Sequence, residues 1–214
     1  MKKIAILCLF LSSLYAHADS VITESVDSHG RSMTRTLKIK GDKIRIDSLP
    51  IMSVITDIST GDSISIIHSQ KSYMMISGAQ QKALIDQIKK SSTPAAKPAI
   101  VDTGKTEKVG NFNAEIYTLN TPTSILTFWI TKDIPAEVID KLHQFGKMSK
   151  TGGAGFFTPD ISSAQGMPVK TQIVKGTETT TITILSVEEK PIDDADMAPP
   201  AGYKEIVMPG GGPR

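Results

Sequence analysis

Cysteine is almost absent from this sequence, and aromatic residues are scarce. The 214 residues include one cysteine, Cys8, and aromatic side chains make up 5% of the chain. Beyond Cys8 the chain therefore cannot form an internal disulfide, a thiolate nucleophile or a thiolate metal site. Long apolar runs are also missing after residue 18. Since a membrane-spanning helix needs about 20 predominantly apolar residues, we expect a soluble product.

The first 18 residues have the three parts of a secretory signal peptide in the expected order. Lys2 and Lys3 give a basic start, an apolar run covers residues 4–14, and a small-x-small motif ends at Ala18. The apolar run is too short to span a bilayer as a stable helix. We expect cleavage between Ala18 and Asp19, and export to the periplasm of a Gram-negative bacterium or secretion.

Without its first 18 residues the chain has no net charge. The formal charge of +2 comes from Lys2 and Lys3, and removing them from the 24 basic residues leaves 22, against 22 acidic residues. A neutral chain gives no electrostatic support for binding nucleic acid or anionic membranes. We therefore predict no nucleic-acid partner.

The composition and patterning favour β structure. After residue 18 there are 25 isoleucines against 7 leucines, and β-branched side chains pack well on pleated surfaces. Residues 43–47 place Ile44 and Ile46 on one side and charged residues on the other, which is typical of a half-buried antiparallel strand. About ten or eleven such strands recur at intervals of roughly ten residues. The lack of strand–helix–strand alternation argues against a parallel doubly wound sheet.

Two segments have helical periodicity instead. The first covers residues 79–90, and the second follows Asp133 and Pro135, which suit a helix start, and ends at Gly146. Each helix has one apolar stripe. We therefore predict an α+β, mainly β fold, in which a large curved antiparallel sheet, a half-open barrel, holds two or three helices on its concave side. A single domain over residues 19–208 would precede a disordered tail at residues 209–214.

Motifs that would support a reaction or a metal site are incomplete. Gly104-Lys105-Thr106 lacks the first glycine of a phosphate loop, because position 99 is alanine. Asp193, Asp194 and Asp196 lack the mid-loop glycine and terminal glutamate of a calcium loop, so we interpret them as a solvated turn. There is no Gly-x-Ser-x-Gly elbow. Three histidines also lack a companion at ligand spacing: His29, His68 and His143. We predict no metal, no cofactor and no enzyme activity.

Several segments together resemble the bacterial family called domain of unknown function 4412. In order and spacing they cover nearly the whole chain after the signal peptide. The matching segments are residues 41–47 (GDKIRID), 104–110 (GKTEKVG) followed by Tyr117, 128–135 (FWITKDIP), 166–169 (GMPV) and 200–204 (PAGYK). The sequence departs from many relatives in having Ala114 where a cysteine often follows Gly110. The resemblance implies a half-open barrel of the lipoprotein-carrier (LolA/LolB-like) group with an apolar cavity, and it implies no activity.

Apolar side chains on the predicted strands and on the second helix are the candidate ligand contacts. Methionine in particular adapts to varied acyl chains, although ordinary core packing is the alternative. The candidates are Tyr73, Met75, Phe112, Tyr117, Phe128, Trp129, Leu142 and Phe145. Phe156 and Phe157 follow a glycine-rich stretch and are candidates for a lid, the alternative being simple packing on the barrel rim.

Two functions remain open at this point. The first is an exported, monomeric, non-enzymatic protein that binds a lipid or an acylated peptide in the half-barrel. The second is a structural or protein-interaction module of the cell envelope, in which the protein's own side chains fill the barrel. There an edge strand or residues 147–165 would meet a partner protein.

Overall fold

The computed structural model describes residues 19–48, 50–91, 99–149 and 164–207. Within these ranges the chain forms one curved, unclosed sheet of twelve strands with two α-helices and two short 3₁₀ helices. The predicted fold class is therefore confirmed. The predicted signal peptide, the candidate lid of Phe156 and Phe157, and the predicted disordered tail lie outside the described residues. Among the described helices, none combines the length and apolar character needed to cross a bilayer.

The elements follow one another with short connections. The strands are β1 (Ser20–Ser28), β2 (Arg31–Lys40), β3 (Lys43–Ser48), β4 (Met52–Asp57), β5 (Ser63–Ile67), β6 (Ser72–Ile76), β7 (Val101–Val109), β8 (Phe112–Asn120), β9 (Ile125–Thr131), β10 (Met167–Lys175), β11 (Glu178–Glu189) and β12 (Lys204–Glu205). The helices are α1 (Gly78–Ser91) and α2 (Ala136–Ser149), and the 3₁₀ helices cover His68–Gln70 and Asp194–Met197.

The sheet consists of two meanders joined side by side. Its order is β12-β6-β5-β4-β3-β2-β1-β11-β10-β9-β8-β7, so the join is the antiparallel pair of β1 and β11. Among the described strands, only β12 runs parallel to its neighbour, β6. This strand exceeds the predicted count because two residues, Lys204 and Glu205, are too few to show an alternating pattern.

The second helix differs from its prediction at both ends. Asp133 lies two residues before the N-cap position, because the helix begins at Ala136, and its carboxylate accepts a hydrogen bond from the Asn113 backbone N–H at 2.9 Å. Gly146 does not end it either, and three further residues remain helical. Met148 in this last turn lies beside the β4–β5 connection, with its Cε 3.5 Å from where a Cβ on Gly61 would be.

Both helices lie on one face of strands β1–β6. Val138 and Phe145 of α2 are buried together with Ile44 of β3 in a hydrophobic cluster that we call the main cluster. Helix α1 contacts the same face, because the Gln81 amide donates to the Ser63 hydroxyl at 2.7 Å. Ser63 pairs with Thr56, which pairs with Ile44, and directly paired residues share a face.

The opposite face of this half is covered by the chain's C-terminal segment, residues 190–207, which we call the strap. The strap starts beside β1, where the backbone N–H of Ile192 donates to the Asp19 carboxylate at 2.9 Å. Ile192 and Met197 then bury Val21. The strap ends as β12 against β6, where the Ile206 N–H donates to the Tyr73 carbonyl at 2.8 Å. The strap thus covers part of the face of β1–β6 that lies opposite the helices.

Gly166 occupies a position that only glycine fits. Its φ is +143°, and a Cβ there would clash with the Thr131 carbonyl and lie 2.9 Å from Cγ2 of Ile130. We expect Gly166→Ala to lower the free energy of unfolding by about 2–4 kcal/mol, from backbone strain plus overpacking. Urea denaturation measures this.

Gly176→Ala is the matched control, because Gly176 also has positive φ (+61°) but nothing lies within 4 Å of an added Cβ. It should lose only about 1 kcal/mol, the cost of the left-handed backbone alone. Equal losses in the two variants would show that close packing at Gly166 contributes nothing.

Candidate functional site

A small pocket lies at the seam between α2 and the sheet, and we call it the seam pocket. Its volume is about 40 Å³. That space holds two or three water molecules, whereas pockets for drug-sized ligands occupy roughly 300–1,000 Å³. The lining residues are Ser20, Ile39, Gly41, Pro135, Glu137, Val138, Lys141 and Glu189. The seam pocket is therefore too small for an acyl chain while α2 stays in place.

Helix α2 is fastened over the sheet by apolar contacts below and polar contacts at its sides. Val138 and Phe145 are buried beneath it. Lys141 Nζ lies 2.5 Å from the Asp42 carboxylate in the β2–β3 turn. His143 Nε2 lies 2.9 Å from the Gly166 carbonyl oxygen, which joins α2 to the residue that precedes β10.

The surface of the sheet beneath α2 consists of aliphatic side chains, and we call this surface the aliphatic bed. The main cluster contains Ile22, Leu37, Ile39, Ile44 and Ile46 from three adjacent strands, all buried. Ile22 pairs with Leu37, Leu37 pairs with Ile46, and Ile39 pairs with Ile44, which places them on a single face. Displacing α2 would expose a continuous apolar surface.

Four of the eight candidate ligand contacts lie in this main cluster. Trp129 and Phe145 are buried in it, and Phe112 and Leu142 pack against it. The residue types alone suggested them, and the structure brings them together with α2.

The other four candidates lie elsewhere. Phe128 is buried in a second cluster, on the opposite side of the sheet from Trp129, because successive residues on a strand face opposite sides. Tyr117 packs against this second cluster. Tyr73 and Met75 pair with Ile66 and Ile64 on β5, so they lie on the face of the sheet opposite Ser63. Because Ser63 is on the helix side, both residues lie on the side away from the helices. The eight candidates thus occupy three surfaces, and four of them are separated from the space beneath α2.

Trp129, the single tryptophan of the chain, has polar neighbours. Its indole N–H donates to the Glu107 carboxylate at 2.8 Å, and Lys170 Nζ lies 4.1 Å from the ring centroid. The sequence did not mark Glu107 or Lys170, since only strand pairing brings β7 and β10 to this tryptophan. Because the indole is buried beside both the main cluster and two charges, its fluorescence will report changes under α2.

Tyr117 donates its hydroxyl proton to the Glu115 carboxylate at 2.8 Å. This hydrogen bond, with desolvation and the nearby charges, raises the pKa of Tyr117 to about 12. Tyr117 therefore stays protonated at neutral pH.

A buried ion pair lies on the helix side of β1 and β2. Arg35 donates from Nε to the Glu24 carboxylate at 2.7 Å, and its Nη2 lies 2.5 Å from the same oxygen. Burial raises the pKa of Glu24, and the Arg35 guanidinium opposes that rise. Sequence reasoning missed the pair because nothing in the local pattern shows that both strands are covered here.

The strap covers a second polar network. Ser53 donates its one hydroxyl proton to the Asp47 carboxylate at 2.5 Å, so His68 Nε2, 2.7 Å away, must donate to the Ser53 oxygen. In the neutral ring His68 Nδ1 then accepts from the Tyr203 hydroxyl at 3.1 Å. Arg45 donates to Asp47 at 2.6 Å. The network joins two of the family-like segments, residues 41–47 and 200–204.

This network is not arranged as a hydrolase triad. In a triad the carboxylate orients the histidine, whose other nitrogen activates the serine. Here Asp47 accepts a hydrogen bond from the Ser53 hydroxyl directly, and the other ring nitrogen of His68, Nδ1, is hydrogen-bonded to the Tyr203 hydroxyl. Ser53 is also fully buried. The arrangement anchors the strap on β3 and β4.

The acidic cluster of the strap is paired with lysines of β2. Asp194 lies 2.7 Å from Lys40, and Asp196 lies 2.9 Å from Lys38. The hydrogen bond from Lys40 lowers the pKa of Asp194. The solvated-turn interpretation is therefore incomplete, because two of these carboxylates fasten the strap. Within the described ranges, no three histidine, cysteine, aspartate or glutamate side chains are grouped to hold a metal ion.

Comparisons with solved structures give distant similarity. PNGF-II matches at 14% identity and TM-score 0.48, over 90% of this chain and 31% of the other. A chain of the Pseudomonas aeruginosa MucA/MucB complex matches at 9% identity and TM-score 0.41, over 86% and 56%. A DUF1329 family protein from Desulfovibrio piger matches at 11% and 0.32, over 85% and 90%. This chain thus corresponds to under a third of PNGF-II and just over half of the MucA/MucB chain.

The sequence comparisons give a family. No curated protein matches the chain. A family model described as domain of unknown function (DUF4412) matches residues 22–203, which includes every segment on which the resemblance was based except the final residue of the last one, Lys204. Because this match covers most of its length, the chain belongs to the DUF4412 family.

Proposed function

We propose that this protein is an exported, non-enzymatic protein that binds a hydrophobic ligand, a lipid or an acylated peptide, between α2 and the sheet. The observation that carries the proposal is the aliphatic bed of strands β1–β3, covered by a single short helix that polar contacts hold at its sides. The signal-peptide pattern of residues 1–18 supports action outside the cytoplasm.

The energies of burial are compatible with exchange of the helix for a ligand. Val138 and Phe145 stabilise the closed state by about 1.5–3 kcal/mol each through burial. A buried methylene group contributes about 0.8 kcal/mol, so four to eight methylenes of an acyl chain offset the loss of both contacts. A single fatty acyl chain is long enough.

The second candidate is an envelope interaction module with a permanently filled core. The small volume of the seam pocket, about 40 Å³, favours it, because the main cluster already fills the space beneath α2. The two functions differ in whether α2 must move for a ligand to bind.

Locking α2 tests the proposal. Asp42→Cys/Lys141→Cys places two thiols where a 2.5 Å ion pair joins α2 to the β2–β3 turn, and a short bis-maleimide then bridges them. Native mass spectrometry and Trp129 fluorescence measure fatty-acid binding. We expect the uncrosslinked variant to bind fatty acid. The bridged variant should bind it at least tenfold more weakly or slowly, because α2 keeps the aliphatic bed covered.

Each single-cysteine variant treated with the same reagent is the control, and it should bind like the untreated protein. Binding that survives the bridge would exclude displacement of α2 at this point. If the unmodified protein takes up no fatty acid, the filled-core interaction module becomes the better explanation.

A further inference from the structure

The buried ion pair of Glu24 and Arg35 adjoins the aliphatic bed. The two residues are paired across β1 and β2, as Ile22 and Leu37 are two residues further along the same face of the sheet. Ile22 and Leu37 are buried in the main cluster. Displacing α2 would therefore expose an apolar surface that ends at two opposite charges.

The ion pair also lies at the boundary between the interior and solvent. Ile22, on one side of it, is fully buried, whereas Met33, on the other side, is 51% exposed and pairs with Val26. From Ser20 to Glu24 the strand β1 spans about 14 Å, which is close to the extended length of a dodecanoyl chain. An acyl chain on the aliphatic bed would therefore bring its head group to the ion pair.

Stability does not account for two charges at this place. A buried ion pair adds little net stability, because the cost of desolvating both ions offsets most of their attraction, and two apolar side chains often do as well. A ligand head group does account for them, since a guanidinium donates two parallel hydrogen bonds to a carboxylate.

Of the two charges, that of Glu24 is the easier to remove. Burial raises the pKa of Glu24, whereas a guanidinium keeps its proton at every physiological pH. Two carboxylates that share one site do not both stay ionised easily, so a second carboxylate beside Arg35 favours protonation of Glu24.

The surroundings of Glu24 add no other charge to this balance. Among the described residues, the Arg35 guanidinium is the only charge that shifts the pKa of Glu24. The β11 residue that pairs with Glu24 is the buried Ile184. The charged residues that line the seam pocket lie beside Ser20, four residues before Glu24 on β1: Glu137 and Lys141 of α2 and Glu189 of β11.

We infer that Arg35 binds the carboxylate head of an amphiphile whose apolar chain lies on the aliphatic bed. This inference rests on the proposed function and adds the head-group class. The ligand carboxylate replaces Glu24 as the acceptor for Nε and Nη2 of Arg35, and Glu24 takes up one proton from solvent. The site therefore keeps one positive and one negative charge. A cationic head would instead meet the like charge of Arg35.

Three ligands with one chain test the inference: dodecanoate, dodecanol and dodecylamine, each below its critical micelle concentration. Isothermal titration calorimetry of the purified protein at pH 8 and pH 6.5 gives the dissociation constants. At pH 6.5 we expect dodecanoate to bind at least tenfold more tightly than dodecanol, and the amine to bind most weakly. Because one proton is taken up, the affinity for dodecanoate should rise by up to about tenfold per unit of falling pH, while that for dodecanol stays constant.

The proton itself can be counted. Titrations in two buffers that differ in ionisation enthalpy give the number of protons taken up with each ligand. We expect a value approaching one for dodecanoate and zero for dodecanol.

Glu24→Gln should strengthen dodecanoate binding at pH 8 at least tenfold and abolish the proton uptake, because no carboxylate then competes for Arg35. Dodecanol binding should not change. Glu188→Gln is the matched control, since Glu188 pairs with Val21 on the strap side of the sheet and forms an exposed ion pair with Lys190. It should bind all three ligands like the unmodified protein.

Equal affinities for dodecanoate and dodecanol, or no proton uptake with dodecanoate, would overturn the inference and leave hydrophobic binding intact. Weaker dodecanoate binding by a folded Glu24→Gln variant would overturn it as well. If that variant does not fold, the head-group preference and the proton count of the unmodified protein decide. If none of the three ligands binds, the proposed function fails and the inference fails with it.

Discussion

Arg35→Met is expected to lower the free energy of unfolding by about 3–5 kcal/mol at pH 8. The side chains of Arg35 and Glu24 are 12% and 8% exposed. Removing the guanidinium leaves an ionised carboxylate desolvated without its cation, which is among the most destabilising single changes in a protein interior. Urea denaturation followed by Trp129 fluorescence measures the loss.

The loss should shrink as the pH falls. Burial already raises the pKa of Glu24, and removing Arg35 takes away the interaction that opposes this rise. The folded variant therefore binds a proton at Glu24 more readily than the unfolded chain, whose glutamate titrates near pH 4.3. The variant therefore loses stability as the pH increases from the pKa of Glu24 in the unfolded chain to its higher pKa in the folded variant. We expect a clearly smaller deficit at pH 5 than at pH 8.

The double variant Glu24→Leu/Arg35→Met separates the charge effect from lost packing. Two apolar side chains in place of a buried ion pair are often neutral or stabilising, so this variant should be more stable than Arg35→Met at pH 8. A deficit of Arg35→Met that is the same at both pH values, or a double variant no better than the single one, would show that packing of Arg35 dominates.

Local patterns predicted the elements that depend on neighbouring residues. The alternation of Ile44 and Ile46 with charged residues gave a strand with one face in the main cluster. The apolar stripe of α2 gave a helix with Val138 and Phe145 buried. Both periods follow from backbone geometry, so a sequence window of ten residues contains them.

Contacts between distant segments could not be predicted in this way. The network beneath the strap joins Asp47 to Tyr203, which is 156 residues further along the chain, through His68. His68 had no companion at ligand spacing, and its partners became apparent only from the sheet pairing. The similarity of residues 41–47 and 200–204 to family segments was the signal available, and it indicated family membership without showing that the two segments meet.

The division of the ligand candidates has the same origin. Phe128 and Trp129 are both buried, so hydrophobicity alone does not separate them. Their alternation places them on opposite faces, but which face α2 covers depends on how the chain returns after β9. The path of the chain after β9 depends on tertiary contacts, and the main and second clusters show which of the two side chains shares a cluster with α2.

Phe128→Ala is expected to lower the free energy of unfolding by about 3–5 kcal/mol, because it opens a cavity in a packed interior. Phe128 is 1% exposed and lies in the second cluster with Leu126, Ile130 and Leu119. Urea denaturation measures the effect. Ile125→Ala on the same strand is the matched control, since Ile125 is 52% exposed and should change stability by no more than about 0.5 kcal/mol.

The same variant tests which cluster binds the ligand. Phe128 faces away from Trp129 and α2, so under conditions where Phe128→Ala remains folded its fatty-acid affinity should equal that of the unmodified protein. Phe145→Leu, a milder change beneath α2, should alter affinity while keeping the fold. Normal stability with lost binding in Phe128→Ala would place the ligand against the second cluster. The opposite pattern makes Phe128 a core residue and assigns ligand contact to the side chains that α2 covers.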